Sequence, residues 1–130
     1  MNIAEQSSDF CIKYLSCIKR VAISLKLTQS QILCIYCIPF SGISQANLAR
    51  KLTIDISTLS RNLNVLISKN LINKRVSMID KRSFKISLTS EGKNLCETFN
   101  QEMFNHLKLI YKTLDIDELN QLIEIFNKIN

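Results

Sequence analysis

The sequence has very little glycine, histidine or proline: its 130 residues include two glycines, one histidine, one proline and no tryptophan. The two glycines, Gly42 and Gly92, exclude both a GxGxxG dinucleotide loop and a GxxxxGKS/T phosphate loop. The single histidine, His106, excludes a multi-histidine metal site. No pair of carboxylates stands at a recognisable spacing. We therefore predict that the protein is not an enzyme and has no catalytic residue, metal site or cofactor.

Long apolar runs are also lacking. The longest covers residues 32–40, nine residues, whereas a membrane-spanning helix needs about 20. Glu5 and Asp9 lie where a secretory signal would be basic. We expect a cytoplasmic protein with no membrane partner.

Cysteine is present in an odd number that does not suggest a disulfide framework. The five residues are Cys11, Cys17, Cys34, Cys37 and Cys96. In a cytoplasmic protein they are expected to be reduced, and we interpret them as small buried hydrophobic residues. Cys34 and Cys37 have CxxC spacing, but two ligands do not complete a tetrahedral zinc site. A redox-sensing role for one of the five remains an alternative.

Positive charge is in excess, and it is concentrated in the middle of the chain. The net charge is +6. Residues 50–93 contain ten basic and three acidic residues, a net charge of +7, against +2 for residues 1–49 and −3 for residues 94–130. This distribution predicts that the middle of the chain meets a polyanion such as nucleic acid.

Apolar residues recur at intervals of three and four through most of the chain, which predicts helices. The first covers residues 5–26. Thr28, with Gln31 three residues later, is typical of a capping box that opens the second, and Pro39 ends it. A short strand and a short helix capped by Ser44 follow. Asp55 or Ser57 then caps a helix over residues 56–69.

The period changes to two after residue 70. Ile72, Val76 and Met78 alternate with polar residues, as do Phe84, Ile86 and Leu88, so we predict two half-buried strands. The polar hairpin tip between them, residues 79–83, carries adjacent positive charges. Thr89 or Ser90 caps a helix of about 25 residues, roughly 37 Å long, and Asp115 with Glu118 opens the last helix.

This order of elements predicts a mainly α protein with a winged helix-turn-helix: helix-helix-strand-helix-helix-strand-wing-strand-helix-helix. We predict a single domain over residues 1–130, with a DNA-binding lobe at 28–90 and helical regions at 5–26 and 91–130. The helix over 56–69 would enter the major groove and the wing over 79–84 the minor groove. The apolar stripe of the last helix, which includes Leu122 and Phe126, is either core or dimer interface.

Six short motifs resemble the multiple antibiotic resistance regulator (MarR) family of bacterial winged-helix transcription factors. They are Leu27-Thr28-x-x-Gln31, Leu48-Ala49, Asp55-x-Ser57-Thr58-Leu59-Ser60-Arg61, Leu71-Ile72-x-x-Arg75, Asp80-x-Arg82 and Leu88-Thr89-x-x-Gly92. Asn70 departs from the family, which usually has glycine there. Because asparagine tolerates the left-handed conformation, we expect the turn to be kept.

The resemblance implies a homodimer, held by the first and last two helices, that acts as a transcriptional repressor by binding a pseudo-palindromic operator in double-stranded DNA. It also implies a small aromatic effector. The candidate DNA-binding residues are Ser57, Thr58, Ser60, Arg61, Asn62, Asn64, Arg75, Lys81 and Arg82. Asp80 is expected to brace the wing by pairing with an arginine.

Two other functions are open at this point. Winged helices also serve as protein-interaction modules, although the charge of residues 50–93 argues against that here. A thiol-based redox-sensing regulator is the other alternative. Arg61 also has a simpler interpretation, an ion pair with Asp55 or Asp80.

Overall fold

A computed structural model describes residues 2–130; Met1, the first residue of the predicted domain, lies outside them. The described residues form six helices and three strands. Their bounds are α1 Ile3–Ser24, α2 Gln29–Tyr36, β1 Ile43–Ser44, α3 Gln45–Leu52, α4 Ile56–Ser68, β2 Ile72–Val76, β3 Phe84–Leu88, α5 Ser90–Ile110 and α6 Ile116–Ile129. This order confirms the predicted winged helix-turn-helix.

Side-chain caps begin α2 to α6 where the sequence predicts them. Helix α1 spans Ile3–Ser24, two residues earlier at each end than the predicted 5–26, and begins at a capping box of Asn2 and Glu5 that was not predicted. Thr28 and Gln31 bond each other's backbone N–H groups at 3.0 and 3.1 Å, which confirms the capping box. Asp115 and Glu118 make the same reciprocal pair at α6. Where the sequence left two choices, the structure selects Asp55 for α4 and Thr89 for α5.

The three strands form one small antiparallel sheet in the order β1-β3-β2. Ile72 pairs with Leu88 at its base and Val76 with Phe84 at its end. The predicted strand alternation extends too far, because Met78 lies beyond β2 and is 98% exposed. The base of the hairpin packs on the core, whereas its end projects past it, so side chains there have nothing to pack against.

The core lies between the first five helices, α1 to α5, and the base of the sheet. Leu59, Leu63 and Leu66 of α4 are fully buried in it, as are Ile32 and Ile35 of α2. Burial of three leucines on one side of α4 fixes which side of that helix faces outward. The fold thereby sets the orientation of α4.

Helix α5 is shorter than predicted. It has 21 residues, about 31 Å at 1.5 Å per residue, and ends where residues 111–114 turn. The backbone N–H of Leu114 bonds the Tyr111 carbonyl at 2.9 Å, and Asp115 then caps α6. No helix within residues 2–130 is both long enough and apolar enough to cross a bilayer.

The turn after α4 has the conformation predicted for it. Asn70 has a φ of 59°, in the left-handed region. Its carbonyl accepts a hydrogen bond of 2.8 Å from the Thr89 hydroxyl, and the Leu71 carbonyl accepts the Thr89 N–H at 3.1 Å. The turn thus joins the end of α4 to the beginning of α5.

Candidate nucleic-acid interface

Helices α3 and α4 form the helix-turn-helix, joined by residues 53–55. Thr53 ends α3 with a φ of 55°, and the Ile54 N–H bonds the Ala49 carbonyl at 3.1 Å. This tight turn places Asp55 directly at the start of α4. A left-handed threonine is an uncommon helix end, because its branched side chain crowds the backbone.

The side of α4 opposite the buried leucines carries polar residues. Ser57, Arg61 and Asn64 are spaced by four and three residues, so they lie on one face, and all three are exposed. Ser68 continues the same face by one further turn. We call these four residues the outer stripe. Ser68 was not among the predicted DNA-binding residues, although its spacing from Asn64 points to it.

Two other predicted DNA-binding residues of α4 are directed at neighbouring helices. The Ser60 hydroxyl accepts a hydrogen bond of 2.9 Å from the side-chain amide of Gln45 on α3. The Asn62 amide donates to the Ser30 hydroxyl at 2.8 Å. Both residues are only partly exposed. In these conformations they position α4 rather than extend the outer stripe.

Hydrogen bonds organise the beginning of α4. The Asp55 carboxylate accepts from the Ser57 hydroxyl, from the Thr58 hydroxyl at 2.6 Å and from the Thr58 N–H at 3.1 Å. These bonds, that from Ser57 first, hold the pKa of Asp55 well below its usual range. Arg61 Nη2 bonds the Thr58 hydroxyl at 3.3 Å. Arg61 therefore reaches Asp55 through Thr58 and not by a direct ion pair.

The wing loop, residues 77–83, is closed by its own polar groups. The Ser77 N–H bonds the Ser83 carbonyl at 2.9 Å, and the Ser83 N–H bonds the Asp80 carbonyl at 3.0 Å. The Asp80 carboxylate accepts the backbone N–H of Arg82 at 3.0 Å. The Asp80 side chain thus contacts the main chain of Arg82, whereas pairing with an arginine side chain was expected.

Exposed cations surround this loop. Lys81 and Arg82 lie in it, and Arg75 on β2 is exposed opposite Lys85 on β3. The Lys74 ammonium lies 4.4 Å from the centre of the Phe84 ring. Lys74 and Lys85 were not among the predicted binding residues. Both lie in the predicted hairpin beside the wing, and this position could have identified them.

The cysteines show no arrangement suited to metal binding or disulfide formation. All five are free. Cys17 and Cys34 are buried as expected, and Cys37 and Cys96 are partly buried, but Cys11 is exposed, so the prediction of burial is wrong there. Burial raises the pKa of the Cys34 and Cys96 thiols. Residues 2–130 contain no group of three or more histidine, cysteine or acidic residues able to hold a metal ion.

The sequence and the structure of the chain are both similar to those of MarR proteins. Residues 27–84 match the model of the MarR family. The chain is 30% identical to the multiple antibiotic resistance protein MarR of Salmonella typhimurium over 109 residues, 82% of this chain and 74% of that protein. It is 29% identical to the HTH-type transcriptional regulator YdgJ of Bacillus subtilis over 83 residues. This second match covers 64% of the chain and 51% of YdgJ, about half of that relative's length.

A solved structure extends the similarity to nearly the whole chain. It is a mutant of MarR from E. coli complexed with operator DNA, 25% identical, with a TM-score of 0.72 over 98% of this chain and 92% of that one. Together with the Salmonella match, this similarity covers the helix-turn-helix, the wing and the flanking helices. The chain belongs to the MarR family of winged-helix transcriptional regulators.

Proposed function

We propose that the chain is a homodimeric repressor that binds a pseudo-palindromic operator in double-stranded DNA through α4 and the wing. The observation that carries this proposal is the outer stripe, which presents Arg61 between Ser57 and Asn64 beside a cationic wing. An α-helix fits the major groove, where such side chains meet the donors and acceptors of base edges.

The charge distribution supports an anionic partner. Arg75 and Lys85 are directly opposite each other on β2 and β3. Like charges at paired positions repel and destabilise a hairpin, whereas a bound phosphate backbone removes that repulsion. These two residues, with Lys81 and Arg82, are therefore assigned to the phosphates and the minor groove.

A known complex supports the same assignment. The similar E. coli MarR mutant was solved with operator DNA. We infer that this chain also binds DNA as a regulator of transcription. A catalytic role has no support in the residues present, and a DNA-binding regulator of this kind is expected in the cytoplasm.

Dimerisation is proposed because α6 has an apolar face that the single chain leaves open. None of its 14 residues is buried. Ile116, Ile123, Phe126 and Ile129 are between 39% and 73% exposed. An isolated helix of this length is marginal in water, and burial against a second copy supplies the missing packing.

We further propose that a small aromatic effector binds the cleft between α1 and the turn after α5. The rings of Phe10 and Tyr111 lie 6.0 Å apart there in a stacked arrangement, and Lys13 supplies a cation. Benzoate should raise the melting temperature of the native protein and leave that of Tyr111→Ala unchanged. Equal increases in the melting temperatures of both proteins would show that benzoate does not bind in this cleft.

The DNA-binding proposal is tested by offering the native protein a random pool of duplexes and measuring the affinity for the enriched sequence by fluorescence anisotropy. Enriched sequences should contain two half-sites about one helical turn apart, and the affinity should fall steeply with salt. A protein-interaction module would enrich no sequence. A thiol-sensing regulator would bind as described but lose affinity on treatment with peroxide.

A further inference from the structure

The end of the wing carries large apolar side chains that the chain does not bury. Met78 is 98% exposed and Ile79 is 99% exposed. Val76 and Phe84, paired at the end of the strands, are 52% and 40% exposed. We call these four residues the apolar tip. Single exposed apolar residues are common on protein surfaces, but several at one projecting end indicate a contact surface.

The loop is ordered by hydrogen bonds around Met78 and Ile79. The Ser77 hydroxyl accepts the backbone N–H groups of Ile79 at 3.2 Å and Asp80 at 3.3 Å. The Ser83 hydroxyl bonds the Asp80 carbonyl at 3.0 Å. These contacts hold the backbone of the tip, so insertion of its side chains into a partner requires little further ordering of the chain.

The surroundings of the apolar tip define the partner. Asp80, whose carboxylate bonds the Arg82 N–H, follows Ile79 in the loop, then come Lys81 and Arg82, and Lys74 lies over the Phe84 ring. A wing of a second copy would bring the same cations against these, which is unfavourable. The charge complementarity therefore selects a partner with a negatively charged rim and an apolar interior.

The minor groove of DNA offers both properties where a base step opens, because phosphates border the groove and the faces of the stacked bases are apolar. It is bordered by phosphates and is about 6 Å wide. Proteins that bind there insert methionine, isoleucine and similar side chains between base steps and bend the duplex. The strands place the tip about 13 Å beyond the base of the hairpin, from four residue steps of about 3.3 Å.

We propose that Met78 and Ile79 form an apolar wedge that enters the minor groove and opens a base step, while Lys81 and Arg82 contact the adjacent phosphates and groove. This inference rests on the proposed DNA-binding function and adds a specificity determinant to it. The wedge favours flexible pyrimidine–purine steps, because these unstack most easily.

The test compares the double variant Met78→Ser/Ile79→Ser with Met78→Leu/Ile79→Leu, which keeps the apolar character. Both variants retain every charge, and exposure at these positions leaves folding unaffected. The probe is the duplex that the native protein enriches from a random pool, labelled at both ends. Anisotropy at several salt concentrations gives affinity and salt slope, and energy transfer between the labels gives the bend.

We expect the serine variant to bind about 10- to 100-fold more weakly, to bend the duplex less and to keep the native salt slope. The leucine variant should bind and bend like the native protein. Arg82→Ala should instead lower the salt slope by about one. Native affinity and bending in the serine variant would overturn the wedge while leaving the DNA-binding proposal intact.

Two further outcomes are informative. If the serine variant keeps its DNA affinity but changes its mass in light scattering, the apolar tip is a contact between copies and the wedge is wrong. If the native protein enriches no duplex, the proposed function fails, and the wedge fails with it.

Discussion

At the scale of single residues, side-chain direction decides which polar groups of α4 can meet DNA. Serine, threonine, asparagine and arginine lie on several sides of the helix, but only the side opposite the buried leucines is fully exposed. Ser57, Arg61 and Asn64 lie on that side. Ser60 and Asn62 contact α3 and α2 instead. Base recognition is therefore assigned to fewer residues than composition alone implies.

Arg61 and Lys81 should differ in their effects on binding. Arg61→Ala removes a group that can form two hydrogen bonds with a base edge, so discrimination between the enriched duplex and a scrambled one should fall by about 10-fold or more. Lys81→Ala removes a phosphate contact, so both duplexes should be bound more weakly by similar factors. Anisotropy with the two duplexes measures this. Similar, sequence-independent losses from both substitutions would contradict the assigned roles.

Asp55 gives an acid dependence whose sign can be stated. Hydrogen bonds from Ser57 and Thr58 lower the pKa of Asp55 in the folded protein. Its contribution to stability is therefore complete above the ordinary aspartate pKa of about 3.9 and is lost as the pH falls below it. Asp55→Asn also caps helices but does not titrate.

Melting temperatures of the native protein and Asp55→Asn between neutral pH and pH about 3 test this dependence. As the pH falls, the melting temperature of the native protein should decrease more than that of Asp55→Asn. A difference independent of pH would show that the carboxylate charge does not stabilise α4.

Sequence alone predicted the caps well but the contacts of α4 poorly. Asp55 could be found because capping depends on residues three positions apart. The partners of Ser60 and Asn62 are 15 and 32 residues away, and a single sequence contains no signal for which of them face inward. Such contacts require the packing of three helices to be known.

At the scale of elements, the end of the wing behaves differently from its base. Ile72, Ile86 and Leu88 are buried, whereas Val76 and Phe84 are exposed. The alternation of apolar residues is continuous in the sequence, so it predicted strand correctly but could not show where burial ends. This difference in burial is what places apolar side chains at the wing tip.

The contact between α5 and the turn after α4 depends on Gly92. A Cβ atom there would lie 2.1 Å from the Leu71 carbonyl oxygen, a backbone atom. Gly92→Ala must push α5 away from β2, and we expect a loss of about 1–3 kcal/mol of unfolding free energy. Asn94→Ala, at an exposed position of the same helix, is the control and should change stability by less than about 0.5 kcal/mol. Chemical denaturation measures both, and a native value for Gly92→Ala would show that the helix is free to shift.

At the scale of the whole molecule, we propose separate tasks for the acidic end and the basic middle. The proposed DNA-binding surface lies on α4 and the wing, while α6 presents an apolar face with acidic residues around it. Charge and periodicity in the sequence predict both regions, but they do not distinguish core from dimer interface for the apolar stripe of α6. The absence of any buried residue in α6 favours an interface between copies.

The dimer can be tested by charging the apolar face of α6. Ile123→Glu/Phe126→Glu should convert the protein from twice the chain mass of 14.9 kDa to a monomer, because buried carboxylates without partners oppose association. Asn120→Glu/Gln121→Glu adds the same charge at polar positions and should leave the mass unchanged. Light scattering at equal concentrations distinguishes them. A dimeric Ile123→Glu/Phe126→Glu variant would place the interface elsewhere.

The central claim is that α4 and the wing form the DNA-binding surface, and amide chemical shifts of isotope-labelled protein titrated with the enriched duplex test it most directly. The largest changes should fall on Ser57, Arg61 and Asn64 and on residues 77–83, with little change over α6. Changes confined to α6, or none on α4, would contradict the claim.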